Sequence, residues 1–422
     1  MKRIALVVQR YGEEINGGAE ALARMLAERL NARFDVVVLT SCALDYSNWA
    51  MHYPPGKSEV RGVRVLRFAH PLRNDIGRAR VALVHKLRFK LRALLRRLPG
   101  AQVVAPRGDS FYDGRDFLRR QGPHCEGLLQ HLGESAGRYD AAIFFTALYE
   151  PAALGVEAFG RRSVLVPFLH DEKAMYQPIY RQVMRKAGAL VFNTDAERRL
   201  AAKLYGIDTR DAPIAGAGVE ITAPSAEAVA QVMARRNLQP GYLLYVGRID
   251  VGKGCKQLLT AFLDHLSQHP AAQLVLVGKA LMPVPEHPRI FCTGFVSDAE
   301  RDALIQGAGA LVIPSRYESL SLVLLEAMLL RTPVVANAKC EVLADHIAHS
   351  GAGLAYHGKA GLVRAMAVVQ ALDTAGRERW AERGAAYVQR SCSWPHVLQQ
   401  YVDAVEAVSL LPEGAAPAHQ PG

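Results

Sequence analysis

The sequence lacks the long apolar run that a membrane-spanning helix needs, which is about 18 residues or more. Its apolar start, MKRIALVV, ends at Gln9 and Arg10 with no small-residue cleavage site after it, so we expect a first β-strand there and not a signal peptide. The six cysteines stand singly, with no C-x-x-C pair, which argues against a disulfide framework and against a structural zinc site. Cysteines used in this way indicate a reducing compartment, and we therefore expect a cytoplasmic protein.

One stretch of the sequence is short of acidic residues. Residues 61–120 contain 16 Lys and Arg against 4 Asp and Glu, which accounts for the whole net charge of +11. A positive patch this local predicts an anionic partner, such as a membrane surface, a phospholipid-linked substrate or a nucleic acid. Nucleic acid is disfavoured, because aromatic residues are not interleaved with these cations in a stacking pattern.

Within this stretch, residues 78–100 predict a basic amphipathic helix. Apolar residues recur there at steps of three and four, cations cover much of the rest, and Pro99 and Gly100 end the pattern. We expect the apolar stripe to lie in a domain core while the cations attract a lipid-phosphate acceptor or the inner membrane face, which would make the protein peripheral on that membrane. The alternative is a surface helix whose cations are only solvated.

The 422 residues, 50% of them apolar and 22% charged, suit a soluble globular protein of two domains. Short strand-like runs alternate with helical runs twice along the chain, which predicts two doubly wound, Rossmann-like sheets. We place the linker in APIAGAGVE, so that the domains are residues 1–215 and 216–394. A last helix is expected at 395–411, followed by a disordered tail at 412–422.

The loop VGRIDVGKGC has most of a phosphate-binding P-loop. Gly247 to Lys253 reads G-x-x-x-x-G-K, but Gly254 stands where a P-loop has the Ser or Thr that binds magnesium. An ATPase or GTPase is therefore disfavoured. Arg248 and Lys253 can still neutralise a diphosphate while the glycines allow backbone N–H groups to approach it. The alternative is a glycine-rich turn with two solvated cations.

A second loop and helix, PSRYESLSLVLLEAMLL, contain two carboxylates. Glu326 lies in an otherwise apolar helix, where an unpaired carboxylate is costly and ribose hydroxyls would serve as donors. Glu318 lies eight residues earlier, at the expected helix start. The alternative is that Glu318 favours the helix dipole and that Glu326 pairs with an internal arginine.

Two further loops follow strands in the first half of the chain. NGGAE has Gly17 and Gly18 before a helix, which permits close backbone approach to an anion, although a tight turn explains it equally. FLHDE places His170 at the carboxyl end of a strand. A single histidine is more often structural than catalytic, and only the location of His170 after a strand favours a functional role.

These four runs together resemble family 4 (group 1) of the GT-B glycosyltransferases, over nearly the whole chain and in the right order. The family's GG loop is matched by Gly17 and Gly18, its G-R-x4-K-G loop by residues 247–254, and its E-x7-E motif by Glu318 and Glu326. The resemblance implies two domains that face a central cleft, a nucleoside-diphosphate sugar as donor, and neither a bound metal nor another cofactor. It implies a UDP- or GDP-linked donor, transfer with retention of configuration, and a glycan or lipid-linked acceptor in cell-surface polysaccharide or lipopolysaccharide synthesis.

The resemblance also implies roles for residues. Arg248 and Lys253 would neutralise the leaving diphosphate, Glu318 would bind the transferred sugar, Glu326 the ribose, and His170 would lie near the reacting sugar. The remaining donor-binding residues implied are Gly17, Gly18, Gly247, Phe295, Val296, Ser319, Leu320, Ser321 and Leu322. Ser321 departs from the glycine that the family often has there. Two alternatives stay open, namely an epimerase or hydrolase of the same fold and a sugar-nucleotide-binding protein without catalysis.

Overall fold

The computed structural model describes residues 1–15, 17–72 and 113–410. They form two compact units: unit 1 comprises residues 1–215 and the chain from Leu398 onward, and unit 2 comprises residues 216–397. The predicted basic helix at 78–100 and the predicted tail at 412–422 lie outside the described residues. In the part of the chain that is described, no helix is long and apolar enough to cross a membrane.

Unit 1 alternates strands and helices from its first residues. Its strands are β1 (Arg3–Val7), β2 (Asp35–Ser41), β3 (Gly56–Val60), β4 (Val63–Phe68), β5 (Ala141–Phe145), β6 (Ser163–Val166) and β7 (Ala189–Leu190). Its helices are α1 (Gly18–Leu30), α2 (Arg115–Gln121), α3 (Glu126–Ser135), α4 (Glu150–Phe159), α5 (Pro178–Lys186) and α6 (Asp195–Tyr205).

The strands of unit 1 form one sheet in the order β3-β4-β2-β1-β5-β6-β7. All neighbours are parallel except β3 and β4. Strand β1 is buried along Ile4–Val7 because helices cover a parallel sheet on both faces, which is why its sequence is continuously apolar. The chain first builds outward from β1 through β2 to β4 and then returns to place β5 on the other side of β1.

Unit 2 repeats this pattern. Its strands are β8 (Leu243–Val246), β9 (Leu274–Val277), β10 (Ile290–Gly294), β11 (Ala310–Ile313), β12 (Val334–Asn337) and β13 (Gly353–Tyr356). Its helices are α7 (Ala226–Arg235), α8 (Cys255–Leu266), α9 (Asp298–Gly307), α10 (Leu322–Leu329), α11 (Glu341–Ser350), α12 (Gly358–Gln370) and α13 (Thr374–Ser391).

The sheet of unit 2 has the order β10-β9-β8-β11-β12-β13, and its pairs are parallel. Here the direction of building reverses between β8 and β11. The core on one face of this sheet is aliphatic and aromatic, with Phe262 and Met366 fully buried among strand residues. The predicted α/β class with two doubly wound sheets is confirmed.

The last helix, α14 (Trp394–Ser409), begins one residue before the predicted start. From Leu398 onward it groups with unit 1. The Tyr401 ring stacks on Phe145 of β5, with the ring centroids 6.5 Å apart, and Glu406 accepts a hydrogen bond from Arg33 at 2.9 Å. Unit 1 is therefore built from two separate stretches of the chain.

Candidate functional site

The predicted donor loops of unit 2 lie at the point where its strand order reverses. The loop after β8 contains Gly247–Gly254, and the loop after β11 contains Pro314–Ser321. Strands β8 and β11 are neighbours and parallel, so both loops leave the same edge of the sheet side by side. Open α/β sheets bind ligands at this switch point, outside the carboxyl ends of the strands.

A salt bridge joins the two loops. The Lys253 ammonium donates to Glu318 Oε1 at 2.8 Å, and the two side chains are 30% and 17% exposed. Asp250 shapes the loop after β8: its Oδ1 accepts the Lys253 backbone N–H at 2.7 Å, and its Oδ2 lies 3.6 Å from the Arg248 guanidinium. Arg248 and Lys253 thus bring two accessible cations to the switch point.

Gly254 is required by the geometry of this loop. It caps α8 in the left-handed conformation, with φ of 81°, and a Cβ placed there would lie 2.4 Å from the Pro314 carbonyl oxygen. The Ser or Thr of a P-loop would therefore clash with the neighbouring loop. Because Gly254 lies this close to Pro314, the start of α8 is next to the loop after β11. No side chain caps this helix start.

The second helix start is at Ser321, which caps α10 with φ of 68° and without a side-chain hydrogen bond. A left-handed residue costs a non-glycine side chain about 1–2 kcal/mol, which explains why glycine is common there in the family. Ser319, Leu320 and Ser321 are buried, so they can meet a ligand mainly through the backbone. Leu322 begins the helix, whose amino end favours an anion.

A buried histidine holds this segment in place. His346 Nε2 donates to the Leu320 carbonyl at 3.0 Å, because a carbonyl can only accept, and Nδ1 then accepts from the Tyr387 hydroxyl at 2.8 Å. Burial lowers the pKa of His346 to about 4, so the imidazole is neutral and this tautomer is the one that both partners require. Nothing close to Leu320 in the sequence indicates this contact.

Glu326, on α10, lies beside a cation but is not closely paired. Its Oε1 is 3.9 Å from the Arg301 guanidinium, whose hydrogen bonds go to Asp298 and Asp302 at 2.8–3.0 Å. The Glu326 side chain is 20% exposed, and among the described residues no hydrogen bond to its carboxylate is formed. Burial raises the pKa of Glu326 and the Arg301 charge lowers it, with burial the larger effect. The sequence left open that Glu326 pairs with an internal arginine. Among the described residues this alternative corresponds only to the 3.9 Å contact with Arg301.

The loop after β10 presents Phe295 and Val296. Phe295 is 67% exposed, while Val296 is half-buried. An exposed aromatic ring at the carboxyl end of a strand is available for stacking on a flat ligand. Strand β10 lies two strands away from β8, on the side opposite β11.

In unit 1 the corresponding reversal of strand order falls between β1 and β5. Gly17 precedes α1, and a Cβ placed there would lie 2.0 Å from Glu20 Oε2. A Cβ placed on Gly18 would have no atom within 4 Å. Glu20 is buried and accepts hydrogen bonds from Gln9 and Arg10, both at 2.9 Å. We did not predict this buried cluster, although a Glu two residues after a glycine pair at a helix start was a visible signal.

His170 follows β6 and is partly exposed, with its Nδ1 3.5 Å from Glu172 Oε1. The backbone before it is fixed by Glu197, a fully buried carboxylate on α6 that accepts from the N–H groups of Leu169 and Asn193, both at 2.7 Å. Burial raises the pKa of Glu197 to about 7, against the lowering effect of these hydrogen bonds. Phe168 has φ of 54°, so the chain turns sharply at this point.

The geometry thus brings Arg248, Lys253 and Glu318 together within unit 2, with the buried Ser319–Ser321 segment beside them. Glu326 lies one helix turn or more beyond, and Gly17, Gly18 and His170 belong to unit 1. Among the described residues, no group of three or more His, Cys, Asp or Glu side chains is arranged to hold a metal ion.

Comparisons with known proteins bear on the fold and the family. Residues 233–386 match the family model of the glycosyl transferases group 1. The chain is 32% identical over 179 residues to the D-inositol 3-phosphate glycosyltransferase of Kineococcus radiotolerans, which covers 37% of this chain and 41% of that relative. The chain thus matches about two fifths of the length of this curated relative.

Two solved structures are similar over nearly their whole length. Sucrose-phosphate synthase from Thermosynechococcus elongatus has a TM-score of 0.63 and 18% identity, covering 96% of this chain and 98% of that one. Anabaena HepE, solved in complex with UDP-glucose, has a TM-score of 0.66 and 16% identity, covering 97% and 100%. At such identities the likeness shows the fold, and the predicted GT-B fold is confirmed.

Proposed function

We propose that the chain moves a sugar from a nucleoside-diphosphate sugar to an acceptor, as its match to the glycosyl transferases group 1 over residues 233–386 supports. The observation that carries this proposal is the salt bridge between Lys253 and Glu318, at 2.8 Å, across the two loops of the switch point. The Lys253 ammonium can bind a diphosphate and the Glu318 carboxylate can accept hydrogen bonds from sugar hydroxyl groups, so the two side chains can contact a single sugar nucleotide.

The proposed donor site uses charge and backbone together. Arg248 and Lys253 neutralise the diphosphate, and the amino ends of α8 and α10, neither capped by a side chain, offer N–H groups to its oxygens. When the sugar binds, one of its hydroxyl groups donates to the Glu318 carboxylate, which stays beside Lys253.

The nucleoside end of the donor is assigned to Glu326 and Phe295. Glu326 is partly exposed and without a hydrogen bond among the described residues, so ribose hydroxyls can donate to it. Phe295 and Val296 would contact the base. Structures of HepE with UDP-glucose support a UDP-linked donor for a chain of this fold, and a GDP-linked donor is kept from the resemblance.

The proposed reaction is metal-independent and retains the configuration of the transferred sugar. Two protein cations do the work that a divalent ion would do on the diphosphate. The departing phosphate oxygen accepts the proton of the attacking acceptor hydroxyl on the same face of the sugar, as the family resemblance implies. Catalysis then consists of positioning the reactants and stabilising the charge of the leaving diphosphate.

The proposed acceptor is a glycan or a lipid-linked sugar of cell-surface polysaccharide or lipopolysaccharide synthesis. The local positive charge of residues 61–120 supports an anionic acceptor or an anionic membrane surface. We propose a cytoplasmic protein that is peripheral on the inner face of the membrane.

The test is release of nucleoside diphosphate from a panel of UDP-, GDP- and ADP-sugars, in EDTA, by the wild type and by Glu318→Ala. Release that depends on an acceptor, survives EDTA and disappears in the variant would support a transferase. Acceptor-independent release would indicate the alternative of a hydrolase, and tight binding without turnover would indicate a binding protein. Activity that EDTA abolishes would contradict the metal-independent site.

A further inference from the structure

Unit 1 contains a buried cation that the proposed donor site does not use. Arg67, near the end of β4, is 4% exposed, and among the described residues its Nη1 has no hydrogen-bond partner. Its guanidinium carbon lies 4.0 Å from the centre of the Tyr53 ring. The titratable groups that act on it among the described residues are Tyr53, Cys42 and Tyr11, which are neutral near pH 7, and no carboxylate is among them.

Two hydroxyl groups close to Arg67 also lack a hydrogen-bond partner among the described residues. Thr40 is the partner of Arg67 in the register of β2 and β4, so both side chains leave the same face of the sheet. The Thr40 and Tyr11 hydroxyl groups are buried and lack a hydrogen-bond partner within the described structure. The carboxylate acting on Tyr11 is that of Glu28, which already accepts from Arg24 at 3.2 Å. Arg67 Nη1 and the two hydroxyl groups are thus three buried polar groups without a hydrogen-bond partner among the described residues.

The position of this cluster suits a ligand. Arg67, Thr40 and Tyr11 lie at the carboxyl ends of β4, β2 and β1, which is the edge of the sheet where α/β proteins bind their substrates. Tyr53 lies against the loop before α1, since a Cβ on Gly12 would be 2.4 Å from its hydroxyl oxygen. The cluster thus borders the loop that contains Gly17 and Gly18.

A buried arginine without an acidic partner destabilises a protein, because desolvating the charge is not offset by an ion pair. An anion that forms an ion pair with such a group offsets this cost. We propose that Arg67, with the hydroxyl groups of Tyr11 and Thr40, is a binding site for an oxyanion, a phosphate or carboxylate group, of the acceptor. The guanidinium presents its donors to two oxygens at once, and the hydroxyl groups complete the shell.

Tyr53 controls access to this site. Its ring covers the guanidinium and is itself half-buried, and its hydroxyl donates to Glu14 Oε2 at 3.3 Å. Glu14 is two-thirds exposed, so this contact is weakly held. A ligand that displaces the ring exchanges a cation–π contact for an ion pair with Arg67.

The proposal predicts opposite effects on stability and on binding. In Arg67→Met, which removes the charge and keeps the apolar stem, the urea midpoint without anions should equal or exceed that of the wild type. Inorganic phosphate or acetate should raise the wild-type midpoint saturably, beyond chloride of equal ionic strength, and should not do so in Arg67→Met. The matched control is Arg64→Met, an exposed arginine on the same strand, which should keep the response.

The results that would overturn the proposal are a lower midpoint or failure to fold in anion-free Arg67→Met, or an anion response that this variant retains. Phosphate and acetate separate the two oxyanion classes, and vesicles with phosphatidate separate a lipid phosphate from a soluble one. Protection of the wild type by none of these probes would also overturn it.

The acceptor assignment rests on the proposed function and is tested separately. The Kd for nucleoside diphosphate, whose proposed site is in unit 2, should be unchanged in Arg67→Met, while the KM for the acceptor should rise at least about tenfold, the scale of one lost charged hydrogen bond. If the wild type transferred no sugar, the proposed function would fail while the anion measurements would still decide on the site. If active Arg67→Met had an unchanged KM for the acceptor, the oxyanion bound at Arg67 would not belong to the acceptor, and this part of the proposal would be wrong.

Discussion

The ion pair of Lys253 and Glu318 can be tested sharply, because we expect it to contribute little to the free energy of folding and much to transition-state stabilisation. The ammonium and carboxylate are 2.8 Å apart but 30% and 17% exposed, so solvent screens them and the pair should contribute at most about 1 kcal/mol to folding. A cation that meets the charge developing on a leaving diphosphate is worth about 2.7–4 kcal/mol in the transition state. Lys253→Ala should therefore lower turnover at least about a hundredfold while unfolding changes little.

The double-mutant cycle decides what the pair is for. If Lys253 acts on the diphosphate and Glu318 on the sugar, each single variant loses its own contact, and the double variant should be slower than either by about tenfold or more. If the two residues serve only each other, the three variants should be equally active. The measurements are steady-state rates of nucleoside diphosphate release and urea unfolding of each variant.

A matched control pair lies elsewhere in unit 2. Lys359 donates to Asp264 at 2.7 Å, and both side chains are about half exposed. Lys359→Ala should cost as little stability as Lys253→Ala and leave turnover unchanged. Near-normal turnover in both Lys253→Ala and Glu318→Ala would refute the assignment of the site.

The remaining predictions concern the supports of the site and pH. Gly254→Ala should lower the free energy of unfolding by about 1 kcal/mol or more, because φ is 81° and the new Cβ meets the Pro314 carbonyl. Ser321→Gly, at φ of 68°, should leave the free energy of unfolding equal or higher. Urea unfolding measures both. His346→Ala should raise the donor KM or lower kcat in assays of nucleoside diphosphate release. His346→Gln, whose amide can still donate to the Leu320 carbonyl, should restore most of that loss, because the wild-type imidazole acts there as a neutral donor. The folded-state pKa of Glu197, about 7, exceeds the ordinary 4.5, so its contribution to stability should fall as pH rises from about 4.5 to about 7, and urea midpoints across this range should be flatter in Glu197→Gln.

Much of the donor site could be predicted from the order of strands and loops. The runs GYLLYVG and GALVIPS are short, apolar and followed by loops with charged residues, which locates Arg248, Lys253 and Glu318 after strands. Asp250 was missed, although an Asp three residues before a backbone N–H in a glycine-rich turn is a known pattern.

Other contacts had no local signal. His346 reaches Leu320 across 26 residues and Tyr387 across 41. In the sequence, Arg67 was one of 16 basic residues in a window that we interpreted as a single positive surface. Arg64 and Arg67 are three residues apart along a strand, which places them on opposite faces of the sheet. Because helices can cover either face of a parallel sheet, alternation alone did not identify which arginine is buried.

The sequence by itself determined the kinds of elements, their order and the residues that follow each strand, because helix and strand periodicity and glycine or proline turns act over a few neighbouring residues. Only the tertiary structure decided which strands are neighbours, and hence that the loops after β8 and β11 bring Lys253 to Glu318. It also decided the ionisation of buried groups such as His346, since the cost of charging a side chain depends on the solvent that distant segments remove from it.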